Sequence, residues 1–190
     1  MVDETQLIEA LQRRDQAALS TVFEQYANKI YRLAAGILQD DQQADGVVQD
    51  TFLKLIEHVD SFEGRSSIGT WLYRVAYNEA NGRLRKSKPQ VNMDELLDED
   101  LIPACLVDWE ALPEQVMGSS EALALMQQAI QDLSPSLRAV FQLRDVDELS
   151  TQETADILGI KPSAVKVRLH RARLALRERL ATYFEEYTSV

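Results

Sequence analysis

Apolar residues recur at steps of three and four along most of the chain, a period that predicts helices rather than strands. Leu7, Ile8 and Leu11 give a short amphipathic helix over residues 3–13. Asp15 is placed to cap a longer helix that turns Val22, Phe23, Tyr26, Ile30, Leu33 and Ile37 inward. After a loop from Gln39 to Gln43, a third helix, about Ala44 to His58, carries Val48, Phe52, Leu55 and Val59 on one stripe. A loop rich in glycine and serine, Asp60 to Trp71, leads into a fourth, roughly Ile68 to Lys86. There Ile68, Leu72 and Val75 face inward, while Trp71, Arg74, Asn78 and Arg85 fall on an adjoining side.

The period fails over residues 87–118, where Pro89, Pro103 and Pro113 stand among dense acidic residues, a composition that argues for a linker. Leu96, Leu97, Leu101, Ile102, Leu106, Val107 and Trp109 are unusually apolar for a free tether, so parts either fold back or bind a partner surface. Beyond it, Ser120 to Leu133 and Pro135 to Asp145 form two helices with Leu123, Met126, Ile130, Leu137, Val140 and Phe141 as core candidates. The fold class is therefore all-α: two small helical domains, about 1–88 and 119–190, joined by an extended acidic linker over 89–118.

The most informative stretch lies at the C-terminal end. Ser150 followed by Glu153 is a capping box that starts a short helix, with Ala155, Ile157 and Leu158 on its apolar side. Gly159 stands where a helix ends in a left-handed residue, and Pro162 and Ser163 mark a new start. Val165, Leu169, Ala172, Leu176 and Leu180 then face a core, and Lys166, His170, Arg173 and Arg177 line an exposed face flanked by Arg168 and Arg171. A basic amphipathic helix alone fits a solvated bundle face as well as DNA. The capping box, the turn glycine and the close second start favour a helix-turn-helix, whose second helix enters the major groove.

A net charge of -11 changes this picture only until its distribution is considered. Residues 1–64 carry a net -7, residues 65–88 a net +5, residues 89–160 a net -13 and residues 161–190 a net +4. Phosphate attraction is local, within a Debye length of about 10 Å, so each basic island can still meet nucleic acid. The acidic remainder weakens unaided binding, so something else is expected to bring the protein to DNA. In the first island, Trp71, Arg74 and Asn78 beside a flexible loop suit an unstacked base. A tryptophan at a helix start is more commonly core, and the Gln49–Asp50–Leu53 face taken alone reads as plain surface.

No run approaches a membrane span, and Asp3 and Glu4 replace the basic flank of a signal peptide, which places the chain in the cytoplasm. One cysteine, Cys105, and two histidines make an internal disulfide impossible and a structural zinc site improbable. A metal-dependent hydrolase built on the carboxylates of Asp94 to Asp100 lacks a histidine and rigid support, so neither catalysis nor a cofactor is expected. A stand-alone helix-turn-helix regulator is the other rival. Such proteins usually dimerise on two half-sites, and the chain shows no clear dimerisation helix.

Three segments in order, VVQDTFLKL (Val47 to Leu55), DSFEG with TWLYRVAYN (Asp60 to Asn78), and the helix-turn-helix ending AVKVRLHRARLALRERL, resemble the extracytoplasmic-function, or group four, sigma factors of bacterial RNA polymerase. The resemblance covers nearly the whole chain. It implies an alternative sigma factor whose partners are core RNA polymerase, promoter DNA and an anti-sigma factor. It implies docking on the polymerase clamp helices through Val48, Gln49, Asp50, Phe52 and Leu53. It assigns melting of the minus-ten element and base capture to Phe62, Gly64, Arg65, Trp71, Arg74 and Asn78. Reading of the minus-thirty-five element falls to Ser163, Ala164, Lys166, Val167, Arg168, His170, Arg171 and Arg173, and the acidic linker would thread toward the polymerase active-site and RNA-exit channels.

Departures from the family pattern change these expectations in detail. The docking helix usually has two acids after its alanine, whereas Ala44 and Asp45 are followed by Gly46, so core affinity or selectivity is expected to differ. The recognition helix usually begins with glycine, threonine, valine, a basic residue, serine and arginine. Here Ser163, Ala164 and Val167 replace the glycine, the threonine and the serine. Two hydroxyls are lost and methyl surface is gained, which predicts a changed minus-thirty-five preference.

Overall fold

The computed structural model describes residues 4–87 and 120–188; the linker expectations over 89–118 lie outside these described residues. Eight α-helices stand in them: α1 Glu4–Gln12, α2 Gln16–Leu38, α3 Asp41–His58, α4 Ile68–Ser87, α5 Ser120–Gln131, α6 Pro135–Phe141, α7 Thr151–Leu158 and α8 Pro162–Thr188. A short 3-10 turn, Val59–Ser61, follows α3, and a π-helical turn, Gln142–Val146, follows α6.

The first bundle packs α2, α3 and α4 against one another, with α1 across the end. Asp15 caps α2 by accepting from the Ala17 and Ala18 N–H groups. Asp40 accepts from Gln43 N–H at 2.9 Å, so α3 begins at Asp41 and takes up most of the expected loop. Gly69 lets the start of α4 approach Tyr26, whose hydroxyl would stand 2.6 Å from an added Cβ. The core phase is shifted by one residue at several points. Val47 and Thr51 are fully buried on α3 where Val48 is only partly so, and Tyr73 and Ala76 fill the place expected of Val75 on α4. Phe23, expected inside, is 50% exposed, its ring 4.8 Å from that of Phe52. Each helix here serves two neighbours, so the buried arc is wider than one stripe.

In the second bundle α8 packs on α5, α6 and α7. The capping box is complete: Glu153 N–H donates to Ser150 Oγ at 3.1 Å, and Ser150 N–H donates to the Glu153 carboxylate at 2.8 Å. Gly159 ends α7 at φ 67°, ψ 33°. Val165, Leu169, Ala172, Leu176 and Leu180 are all buried.

The two bundles also touch each other, α2 against α6 and α4 against α7, and their buried side chains form one continuous apolar cluster. Arg138, 5% exposed, carries one of the polar contacts across it. Its Nε donates to the Ile130 carbonyl at 2.8 Å and its terminal nitrogens to the carbonyls of Gln131, Leu133 and Gly36. One cation thus serves the C-terminal ends of both α5 and α2, where unpaired carbonyls and the helix dipoles favour positive charge. Burial pulls its pKa down and Asp132 opposes that, but a guanidinium stays charged.

Two glycines give opposite predictions. Neither Gly159 nor Gly82 has a heavy atom within 4 Å of an added Cβ, so only backbone conformation decides. Gly159→Ala forces a side chain into the left-handed region and should cost roughly 1–2 kcal/mol. Gly82→Ala, inside α4, should gain about 0.5–1 kcal/mol. Urea unfolding of the two variants checks the signs. Glu153 has its pKa lowered by the Ser150 hydroxyl first and the Ser150 backbone N–H second. Its contribution is therefore full above the ordinary carboxylate value and is lost as pH falls through the lowered one. The penalty of Glu153→Ala in thermal melts should be clear at neutral pH and fade in acid.

Candidate nucleic-acid interface

The first basic island is built on the entry to α4. Ser67 caps the helix, its Oγ accepting from Thr70 N–H at 3.0 Å, and Glu4 of α1 accepts from Ile68 N–H at 2.8 Å. These two contacts fix where the preceding loop must end. Phe62 and Trp71 pack on the core and meet edge to face, their ring centroids 6.3 Å apart at 85°. Both aromatics are thus partly buried anchors of the loop. Between them Gly64 adopts φ 67°, and Arg65 projects with its side chain 85% exposed beside Glu63. Asn78 and Arg85 are open to solvent on the same side of α4, and Arg74 is half-buried with its Nε unpaired among the described residues.

The second island is α8. Lys166 is exposed, and Ser163, Arg168, His170 and Arg171 are half-buried. Arg173 already has a partner: its Nε and Nη2 donate to the two carboxylate oxygens of Asp145 at 2.9 and 2.6 Å. Hydrogen bonding to Asp145 raises its pKa, against a smaller effect of burial. Its charge is locally matched, unlike that of a residue held ready for phosphate. Ala164 and Val167 are each 6% exposed, so their methyl groups are not presented to a groove in this arrangement.

A third surface lies on α3. Gln49 is exposed, Leu53 is 57% exposed, Val48 and Asp50 are half-buried, and Phe52 is buried beneath Phe23. Ile56, 40% exposed, and Phe23, which the helical period places inside, extend this patch. The spacing of Gln49, Leu53 and Ile56 was the available signal, because it aligns them on one helix face away from the core. Gly46 also finds a reason here. An added Cβ would stand 2.4 Å from Arg83 Nη1, which donates to the Gln43 carbonyl at 2.8 Å while Nη2 pairs with Asp50. The glycine leaves room for a cross-helix clamp, and Asp50 is partly neutralised by it.

Among the described residues no three His, Cys, Asp or Glu side chains gather as a metal site, and no helix is long and apolar enough to cross a membrane. The described surface carries two clusters of basic residues, on α4 with its loop and on α8, and an exposed partly apolar face on α3.

Residues 22–90 match the family model for sigma-70 region 2, and residues 123–176 match that for sigma-70 region 4. The chain is 35% identical over 176 residues to the ECF RNA polymerase sigma factor SigW of Bacillus subtilis, covering 91% of this chain and 94% of that one. It is 32% identical to the RNA polymerase sigma-H factor of Pseudomonas aeruginosa, with 95% of each chain covered. It is also 32% identical to the ECF RNA polymerase sigma-E factor of Escherichia coli K12, with 90% of each covered. Among solved structures, the sigma factor RpoE bound to the anti-sigma factor NepR from Bartonella quintana matches with a TM-score of 0.61 at 25% identity, over 85% of this chain and 96% of that one. CnrH in complex with the cytosolic domain of CnrY has the same fold, with a TM-score of 0.62 at 19% identity, over 93% and 96% of the two chains. With both regions in order and similarity along nearly its whole length, the chain belongs to the extracytoplasmic-function sigma factors of the sigma-70 family.

Proposed function

We propose that this sigma factor divides its work among three parts, with residues 1–88 docking on core polymerase and opening the minus-ten element, residues 119–190 reading the minus-thirty-five element, and residues 89–118 linking them. The observation that carries the reading is the pair of basic islands, one on α4 with its loop and one on α8, in an otherwise acidic chain. Gln49, Leu53 and Ile56, with Phe23, form the docking face, supported by Val48, Asp50 and Phe52. Asn78, Arg74 and Arg65 contact the displaced strand, and Phe62, Gly64 and Trp71 shape the loop that receives a base. Ser163, Lys166, Arg168, His170 and Arg171 supply groove and phosphate contacts. The protein acts in the cytoplasm beside the polymerase as a specificity factor, without catalysis or cofactor of its own. The complex of RpoE with the anti-sigma factor NepR supports an anti-sigma factor as its regulator.

Transcription in vitro with bacterial core polymerase and a library of genomic fragments tests the reading: RNA chains should start at discrete sites that share two motifs. Random initiation, or none, would overturn it.

Within that assay the variants should separate. Arg168→Ala or Arg171→Ala, if the side chain meets a base, should weaken minus-thirty-five readout by about 1–3 kcal/mol. Lys166→Ala should lower the salt dependence of binding by roughly one charge. Arg173→Ala should change that slope less, because Asp145 already matches its charge. Asn78→Ala should slow promoter opening, read by permanganate reactivity, while duplex recruitment survives.

A further inference from the structure

The loop between α3 and α4 is held at both ends by one short helix, α1, which lies ahead of the residues, 22–90, that match sigma-70 region 2. At its N-terminal end α1 supplies Glu4, whose carboxylate accepts the Ile68 N–H at 2.8 Å. An anion thus meets the unpaired N–H groups at the start of α4. Just past the other end of α1, Arg14 donates through Nη1 to the Ile56 carbonyl in the last turn of α3 and through Nη2 to Asp60 at 2.6 Å. There a cation meets the carbonyl end of a helix, which the dipole also favours. Gln12 Nε2 donates to the Val59 carbonyl at 3.3 Å and, at 3.5 Å, to that of Phe62. Leu11, fully buried, anchors α1 in the core.

Arg14 holds its place against the preference of the backbone. α1 ends in a Schellman turn, in which Asp15 N–H donates to the Ala10 carbonyl at 3.0 Å and Arg14 N–H to that of Leu11 at 2.9 Å. Arg14 itself stands at φ 60°, the left-handed position where such turns usually carry glycine. Its side chain is 45% exposed and that of Asp60 60%, so their ion pair adds little stability. Neither backbone preference nor stability accounts for an arginine here; its reach to two groups at the entrance of the loop does. Within the loop so held, Phe62 and Trp71 meet across its base, and Gly64 at φ 67° has no heavy atom within 4 Å of an added Cβ.

We infer that α1 is a strut that sets this loop for base capture, with Glu4, Gln12 and Arg14 as positioning residues that act on the minus-ten base through the loop rather than by touching it. The inference deepens the minus-ten reading proposed above and rests on it. From Glu4 to Gln12 the strut is a rigid rod about 12 Å long at ~1.5 Å per residue. Contacts spaced along it fix where the loop leaves α3 and where it enters α4. A loop whose ends are fixed beforehand loses less freedom when it binds. A base drawn from the stack must recover its unstacking energy from the surface that receives it, so loosening that surface lowers discrimination among bases.

The test uses the full chain with bacterial core polymerase, and its readout is the ratio of run-off transcript from a preferred promoter to that from its weakest single-base minus-ten variant. Arg14→Gly should keep or raise the melting temperature, because glycine relaxes the left-handed turn, yet lower that ratio at least fivefold. Glu4→Ala should lower it from the other end, and Arg14→Lys, which keeps a donor and the charge, should recover part of it. Arg13→Ala removes the same charge from the exposed neighbouring residue and should leave the ratio unchanged. A purely structural defect would reduce transcript from every promoter equally and would not move the ratio. In the free chain, hydrogen exchange over residues 61–67 should quicken in Arg14→Gly and Glu4→Ala while that of α2 stays slow. Unchanged exchange or an unchanged ratio in these two variants, or an equal fall in Arg13→Ala, would overturn the strut alone. An unsubstituted chain indifferent to every minus-ten base would overturn the minus-ten reading and the strut with it.

Discussion

A carboxylate withdrawn from water must be matched, and Asp147 is matched by groups from both halves of the molecule. Arg32 reaches it from α2 and Gln142 from its own bundle. Burial, followed by the charge of Asp147, drives the Tyr73 phenol well above its ordinary pKa, so it stays neutral throughout the physiological range. Arg138 repeats the theme with a cation, placed on the carbonyl ends of two helices that belong to different bundles. These two centres determine how the apolar surfaces of α2 and α4 meet those of α6 and α7.

That constraint connects the fold to the function. A sigma factor must keep two nucleic-acid surfaces apart on DNA and yet remain a manageable acidic protein when free. Most of its negative charge opposes casual contact with phosphate, and most of its basic groups lie along α4 with its flanks and along α8. Some are further restrained: Arg173 is held by Asp145, and Arg83 by Asp50 and the Gln43 carbonyl. Lys166 and Asn78, by contrast, are exposed.

Local chemistry was legible in the sequence. Ser150 with Glu153, and Gly159 six residues after the glutamate, mark helix α7 because caps are satisfied within a few residues of themselves. The stripe from Val165 to Leu180 was equally plain, since one helix face against one core follows a single period. Reading failed where a residue answers to something distant. Arg138 in an acidic region looks like a solvated cation, and its partners include Gly36, 102 positions away. Asp147 pairs with Arg32 at a separation of 115. Phe23 satisfies the helical period of α2 but lies at the edge of the core, half-exposed over Phe52 of α3. The helical period ends at Asp145, and nothing local to it announces a bidentate arginine from α8.

The account turns on one change of distance. With fluorophores on the exposed positions Glu57 of α3 and Gln152 of α7 in the full chain, energy transfer should report a single short separation in the free protein. In the complete complex of polymerase and promoter it should report a long one. A short separation that persists in a complex actively starting RNA chains would contradict the account.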